Sequence, residues 1–225
     1  MEITPRIAAA AQTLKGEGAY EVLAASKKLE RAGASIVHLE IGQPDFKTPQ
    51  PIVDAAIESL RAGETGYAPT LGLPELREAV ALRESSHRSV PVSESQVVVV
   101  PGAKTALFLV LASVIEPGDE VIYPNPGFPA YENITRYLGG VPRPLPLLEE
   151  KGFSFDREAF TALLSPKTKL IILNSPSNPT GGVLPREDLA FVAETARAHG
   201  CYILSDEIYD ELSFEGQVPS IYDTD

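Results

Sequence analysis

The chain has no tryptophan, one cysteine, one methionine and three histidines, and its 31 Asp+Glu outnumber 19 Lys+Arg, a formal net charge of −12. Each shortage excludes something. The lone thiol, Cys201, sits in the apolar run Cys201-Tyr202-Ile203-Leu204, so neither a disulfide framework nor a Cys-based zinc site can form within the chain. It reads as a small buried hydrophobe in a reducing, cytoplasmic compartment. Basic residues are few and form no run, which argues against nucleic acid or an anionic membrane as a partner, because both are bound through clustered Lys and Arg. No apolar stretch approaches the roughly 20 residues needed to span a bilayer. The start, with an acid at Glu2 and only a four-alanine run at 8–11, lacks the charged and apolar regions of a secretory signal. His38, His87 and His199 fall on a predicted strand, a helix face and a helix end, and make no constellation of ligands or catalysts.

What is present is the composition of a globular protein, 44% hydrophobic and 22% charged over 225 residues. Apolar residues at three- and four-residue spacing predict helices over Ala24–Arg31, Pro51–Ala62, Leu73–His87, Lys104–Ile115, Tyr131–Tyr137, Arg157–Leu164 and Arg186–His199. Between them lie short apolar, β-branched runs read as strands: Ile36–Ile41, Val97–Val100, Glu120–Tyr123, Leu170–Leu173 and Cys201–Leu204. Unbroken apolar runs indicate strands buried on both faces. The expected fold is therefore α/β, a mostly parallel sheet with helices on both faces, preceded by an N-terminal arm of about 45 residues.

Ligands of such sheets bind beyond the carboxyl ends of the strands, and four strand ends carry unusual residues. Pro101-Gly102-Ala103-Lys104-Thr105 opens a helix with small residues and free amides suited to a phosphate, although a plain turn would look the same. No G-x-G-x-x-G and no P-loop pattern occurs, which disfavours dinucleotide enzymes and P-loop NTPases. Pro124-Asn125-Pro126-Gly127-Phe128 presents an aromatic on a rigid turn, either to stack a flat ring or to pack over the sheet edge. The segment Asn174-Ser175-Pro176-Ser177-Asn178-Pro179-Thr180-Gly181-Gly182 places two X-Pro steps around an Asn, which imposes a specific loop shape. Ser205-Asp206-Glu207-Ile208-Tyr209-Asp210 sets a carboxylate at the end of a buried strand, either to meet a cation or ring N–H or to cap a helix.

Phosphate, flat ring, polar ring substituent and protonatable ring nitrogen together describe pyridoxal 5′-phosphate. On these segments, with Ile41-Gly42-Gln43-Pro44-Asp45-Phe46 and Gly66-Tyr67-Ala68-Pro69-Thr70-Leu71-Gly72-Leu73-Pro74-Glu75-Leu76-Arg77, the chain closely resembles the aspartate aminotransferase family, the class I/II group of fold-type I pyridoxal-phosphate enzymes. The resemblance implies that Gly102, Ala103 and Lys104 hold the cofactor phosphate and that Phe128 stacks on the ring. It implies further that Asn178 and Tyr209 bond the phenolic oxygen, and that Asp206 pairs with the pyridinium nitrogen and keeps the ring an electron sink. Gly42 would offer its amide near the substrate carboxylate. Tyr67 would reach the phosphate of the neighbouring subunit's cofactor, so a homodimer is expected, acting on an amino acid and a 2-oxo acid. The family pattern also implies cis bonds at Asn125-Pro126 and Asn178-Pro179.

In the family a lysine shortly after the Ser-Asp-Glu-Ile-Tyr segment holds the cofactor as a Schiff base. None of this chain's eight lysines (15, 27, 28, 47, 104, 151, 167 and 169) lies in that context, and the chain ends at Asp225. The resemblance thus assigns residues 1–46 to an arm and small-domain segment and 47–225 to a cofactor-binding large domain that stops before the lysine, a fragment expected to be inactive alone. A lyase or synthase on the same scaffold shares these cofactor contacts, and a non-catalytic fragment that binds a partner subunit or a phosphate is the third reading.

Overall fold

The computed structural model describes residues 7–12, 14–16, 18–88 and 90–224; Glu2 and Asp225 lie outside them. The elements in chain order are α1 (Ala9–Gln12), α2 (Gly18–Arg31), α3 (Gln50–Arg61), α4 (Pro74–Arg88), α5 (Ala103–Val114), β1 (Glu120–Asn125), α6 (Ala130–Tyr137), β2 (Val141–Leu148), β3 (Ser154–Phe155), α7 (Arg157–Leu163), β4 (Thr168–Asn174), α8 (Arg186–His199) and β5 (Tyr202–Asp206). Two compact units result: Lys15–Pro74 is one, and the described residues on either side of it form the other. Among the described residues no helix is long and apolar enough to cross a membrane.

The second unit is built on a five-stranded sheet of order β3-β2-β1-β4-β5. β2, β1, β4 and β5 run parallel, and only the two-residue β3 is antiparallel. Successive side chains of a strand point to opposite faces, and both faces are covered. Val121, Tyr123, Leu170 and Ile172 pack under α5 and α6 with Leu107, Leu111 and Tyr131. Ile122, Ile171 and Leu173 pack on the other face with Phe160 of α7 and Leu189 and Val192 of α8. The parallel α/β sheet expected from the apolar runs is the one observed.

Two expected strands are not formed. Val97–Val100 and Ile36–Ile41 belong to no ladder among the described residues. Val97 has extended backbone angles, but a strand also needs a neighbour to bond, and Val98 is 55% exposed. Val37 and Leu39 are likewise exposed.

One strand escaped the sequence reading altogether. β2 reads Val-Pro-Arg-Pro-Leu-Pro-Leu-Leu, and proline normally argues against a strand. Its three prolines, however, occur at every second position. Val141 donates to Asp119 O at 2.8 Å, so the odd-numbered amides face β1. Pro142, Pro144 and Pro146 then turn their donor-less nitrogens to the opposite edge, where β3 pairs only with Leu147 and Leu148.

At the other end of the chain order, α8 stops where the sequence predicts, at Gly200, whose φ of 67° lets its N–H close on Ala196 O and Arg197 O.

Two consequences can be measured. Ile171 is fully buried between β1 and β5, so Ile171→Ala should cost about 2–5 kcal/mol in urea unfolding. Tyr123 on β1 is 8% exposed and donates to Glu132 Oε2 at 3.2 Å. Burial first, then the charge of Glu132, pushes its phenol up to about 12 from 10.0. The protonated phenol is favoured in the folded state, so its contribution is complete below pH 10 and lost as pH rises from 10 toward 12. Stability measured across that window should fall less steeply in Tyr123→Phe.

Candidate active site

A cavity of about 220 Å³ opens at the carboxyl ends of the strands in the second unit, lined by Ala103, Lys104, Phe128, Asn178, Asp206 and Tyr209 among others. Six of the residues singled out in the sequence are therefore brought to one place, although they come from the start of α5 and from the ends of β1, β4 and β5.

The reason lies in the parallel ladder. β4 pairs Leu173 with Ser205 and Asn174 with Asp206, so the two strands end level and both final side chains reach the cavity. Asp206 is held on several sides. Its Oδ2 accepts from Tyr131 Oη at 2.8 Å, its Oδ1 accepts from the Ile208 amide at 3.4 Å, and its carbonyl oxygen accepts from Asn174 Nδ2 at 2.9 Å. Asn174 Oδ1 in turn accepts from the Asn178 amide at 2.7 Å, which seats the loop that carries Asn178. A buried side-chain amide thus ties two strand ends and one loop together.

Tyr131 is 1% exposed. Burial, followed by the charge of Asp206, its hydrogen bond and nearby Tyr209, drives the phenol far above its ordinary value. It remains a donor at any physiological pH, and the Asp206 oxygen it binds is an acceptor. The Asp206 carboxyl group is therefore held in a fixed direction at the cavity wall.

Phe128 packs edge-on against Tyr131, with centroids 5.8 Å apart and planes at 85°, and Lys104 Nζ lies 5.5 Å from the Phe128 ring centre. α5 begins beside them. Gly102 occupies its N-terminal flank at φ 89° and ψ 152°, a conformation other residues avoid, and nothing lies within 4 Å of where a Cβ would be. Gly102 offers no side chain to cap this helix, and the positive end of the helix dipole there favours an anion.

The loops carry three cis bonds. Asn125-Pro126 and Asn178-Pro179 match expectation, and Ser175-Pro176 adds a third that the sequence reading did not anticipate.

Gly42 and Tyr67 lie in the Lys15–Pro74 unit, Gly42 exposed and Tyr67 fully so.

Four further lining residues were missed: Leu107, Tyr131, Asn174 and Ile208. Tyr131 was legible in retrospect, because an aromatic three residues after Phe128 at a helix start lies on the same side. Asn174 carried the same signal as Asp206, a polar residue ending an apolar run. Leu107, one turn beyond Ala103 and Lys104, looks like any core leucine. Ile208 has no sequence signal.

The fit of pyridoxal phosphate to this cavity can be judged from the donors present. An acidic acceptor held by a buried phenol suits a protonated ring nitrogen, an aromatic wall suits a flat ring, and an uncapped helix start suits a phosphate. All three face one space.

Comparison with known proteins agrees with this chemistry. The chain is 41% identical over 205 residues to a probable aspartate/prephenate aminotransferase of Thermus aquaticus, covering 91% of this chain and 54% of that protein. It is also 41% identical over 212 residues to an arginine–pyruvate transaminase of Pseudomonas aeruginosa, covering 92% and 53%. The chain thus spans about half the length of the curated relatives it matches. The structure of Thermus thermophilus aspartate aminotransferase with maleate superposes with a TM-score of 0.94 at 38% identity, over 98% of this chain and 58% of that one. Residues 34–224 match the aminotransferase class I and II family, and the chain belongs to that family.

Proposed function

We propose that this chain is the N-terminal, cofactor-binding part of a pyridoxal-phosphate-dependent aminotransferase that moves an amino group between an amino acid and a 2-oxo acid. One observation carries the reading: Asp206, fixed by Tyr131 at the end of β5, shares a cavity with Phe128 and the uncapped start of α5.

When bound, the cofactor supplies an electron sink for the carbanion at the substrate's α-carbon. The residues of this chain bind and orient it. Gly102, Ala103 and Lys104 take the phosphate at the helix start, where backbone amides and the helix dipole favour an anion. Phe128 supports one ring face, and Asn178 and Tyr209 bond the phenolic oxygen. Asp206 pairs with the ring nitrogen, keeping it protonated, while Tyr131 restrains the carboxylate. In this reading Gly42 contributes an amide for the substrate carboxylate and the exposed Tyr67 serves the phosphate of a neighbouring copy, so the working form is a cytoplasmic homodimer. In the same reading residues 47–225 belong to its large domain and 1–46 to its arm and a small-domain segment.

The substrate's side chain is left open by this half of the protein. Relatives of equal identity are named for aspartate/prephenate in one case and arginine–pyruvate in another. The cofactor contacts are what all of them have reason to share.

The 225-residue chain should bind pyridoxal phosphate, read as a change in cofactor absorbance. Asp206→Ala should weaken binding about 10- to 100-fold, the equivalent of one charged hydrogen bond. Transamination by this chain alone should be absent, because its eight lysines offer none in the family's Schiff-base context. No absorbance change with the unaltered chain would defeat the reading, and turnover by the chain alone would defeat the fragment assignment. Elimination products, in place of amino-group transfer, from the complete protein assayed with amino acid and 2-oxo acid pairs would instead favour a lyase on the same scaffold.

A further inference from the structure

Arg88, at the end of α4, is 7% exposed although it does not line the cavity. Its Nη2 contacts Glu207 Oε2 and lies 2.9 Å from Asp210 Oδ2, and its Nε lies 3.5 Å from Glu84 Oε2 one turn back. Both loop carboxylates are largely shielded, at 14% and 13% side-chain exposure. The other oxygen of Glu207 accepts from Ser205 Oγ at 2.7 Å and Ser220 Oγ at 2.8 Å. Asp210 also faces His87 at 3.7 Å and Arg83 at 4.0 Å, but Arg83 is half exposed and reaches outward to Glu211 at 2.6 Å.

The stretch after β5 is therefore divided. Asp206, Ile208 and Tyr209 line the cavity, and the interleaved Glu207 and Asp210 turn to Arg88. A planar guanidinium can serve several carboxylates at once, which an ammonium cannot do with the same geometry. Without it, the shielded Glu207 would lose its cation and Asp210 would keep only His87 and the half-exposed Arg83. The two carboxylates would turn toward water and carry the backbone between them. That backbone bears Tyr209, and Asp206 immediately precedes Glu207.

We infer that Arg88 is a positioning residue for the cofactor site: by holding Glu207 and Asp210 it sets where Asp206 and Tyr209 stand against the ring. The inference rests on the pyridoxal-phosphate reading above.

The test is a pyridoxal phosphate titration of the 225-residue chain and of Arg88→Met, Arg88→Lys, Arg83→Met, Asp206→Asn and the Arg88→Met/Asp206→Asn double variant, with circular dichroism melts in parallel. Arg88→Met should weaken binding about tenfold, Arg88→Lys should recover part of that, and Arg83→Met should remain within about twofold of the unaltered chain. The double variant should bind more tightly than the product of the two single effects would give, because part of the Arg88 effect runs through the Asp206 carboxylate. The pH midpoint of the bound cofactor's absorbance change should shift in Arg88→Met in the same direction as in Asp206→Asn, which general loosening of the fold would not produce. Binding by Arg88→Met within twofold of the unaltered chain, multiplicative effects in the double variant, or an unmoved midpoint would each overturn the inference alone. Failure of the unaltered chain to bind would overturn the cofactor reading and this inference together. If Arg88→Met does not fold, Asp210→Asn, which leaves Glu207 on Arg88, should show the same pattern with a smaller shift, and unchanged binding there would count against it.

Discussion

Burial of β4 on both faces governs much of this molecule. From Leu170 to Asn174 no residue exceeds 3% exposure, because α5 and α6 cover one face and α7 and α8 the other. A strand so enclosed has no room along its length for unpaired polar groups. Polar chemistry is therefore pushed to the strand ends, and the parallel arrangement places those ends on one side. Asn174 and Asp206 reach the cavity because β4 and β5 run level to their last residues.

From that constraint follows a chain of restraints of decreasing rigidity. Asn174 bonds both the Asp206 carbonyl and the Asn178 amide, Tyr131 fixes the Asp206 carboxylate, and Phe128 packs on Tyr131. The groups nearest the sheet are held by buried bonds, while the segment beyond β5 depends on charge. Arg88 meets Glu207 and Asp210 there, so an ion network outside the cavity restrains a loop within it. Buried ion groups add little net stability over an apolar replacement, but they are directional, and direction is what a cofactor site needs.

Legibility in the sequence followed the range of the interaction. Helix limits agreed to within a residue or so over α3 to α8, because caps, prolines and glycines act locally. Strands were legible only where an apolar run coincided with a partner. Val97–Val100 has the composition of a strand without a ladder, and β2 has the ladder without the composition, since proline spacing at period two hides the missing donors on one edge. The cavity residues were found where a strand-end position or a family motif marked them. Arg88 carried no such mark, because an arginine in the last turn of a helix reads as an ordinary complement to the helix dipole.

The α/β class, the helix boundaries from α3 to α8, the strand-end location of the chemistry and the family were all legible in the sequence. These depend on periodicity, turn residues and motifs, all written along a few consecutive positions. Packing alone set Tyr131 against Asp206 and Arg88 against Glu207 and Asp210, which follow it. The Tyr131–Asp206 bond joins positions 75 apart and the Arg88–Asp210 bond positions 122 apart. Pairings at such separations are set by how the sheet and helices pack.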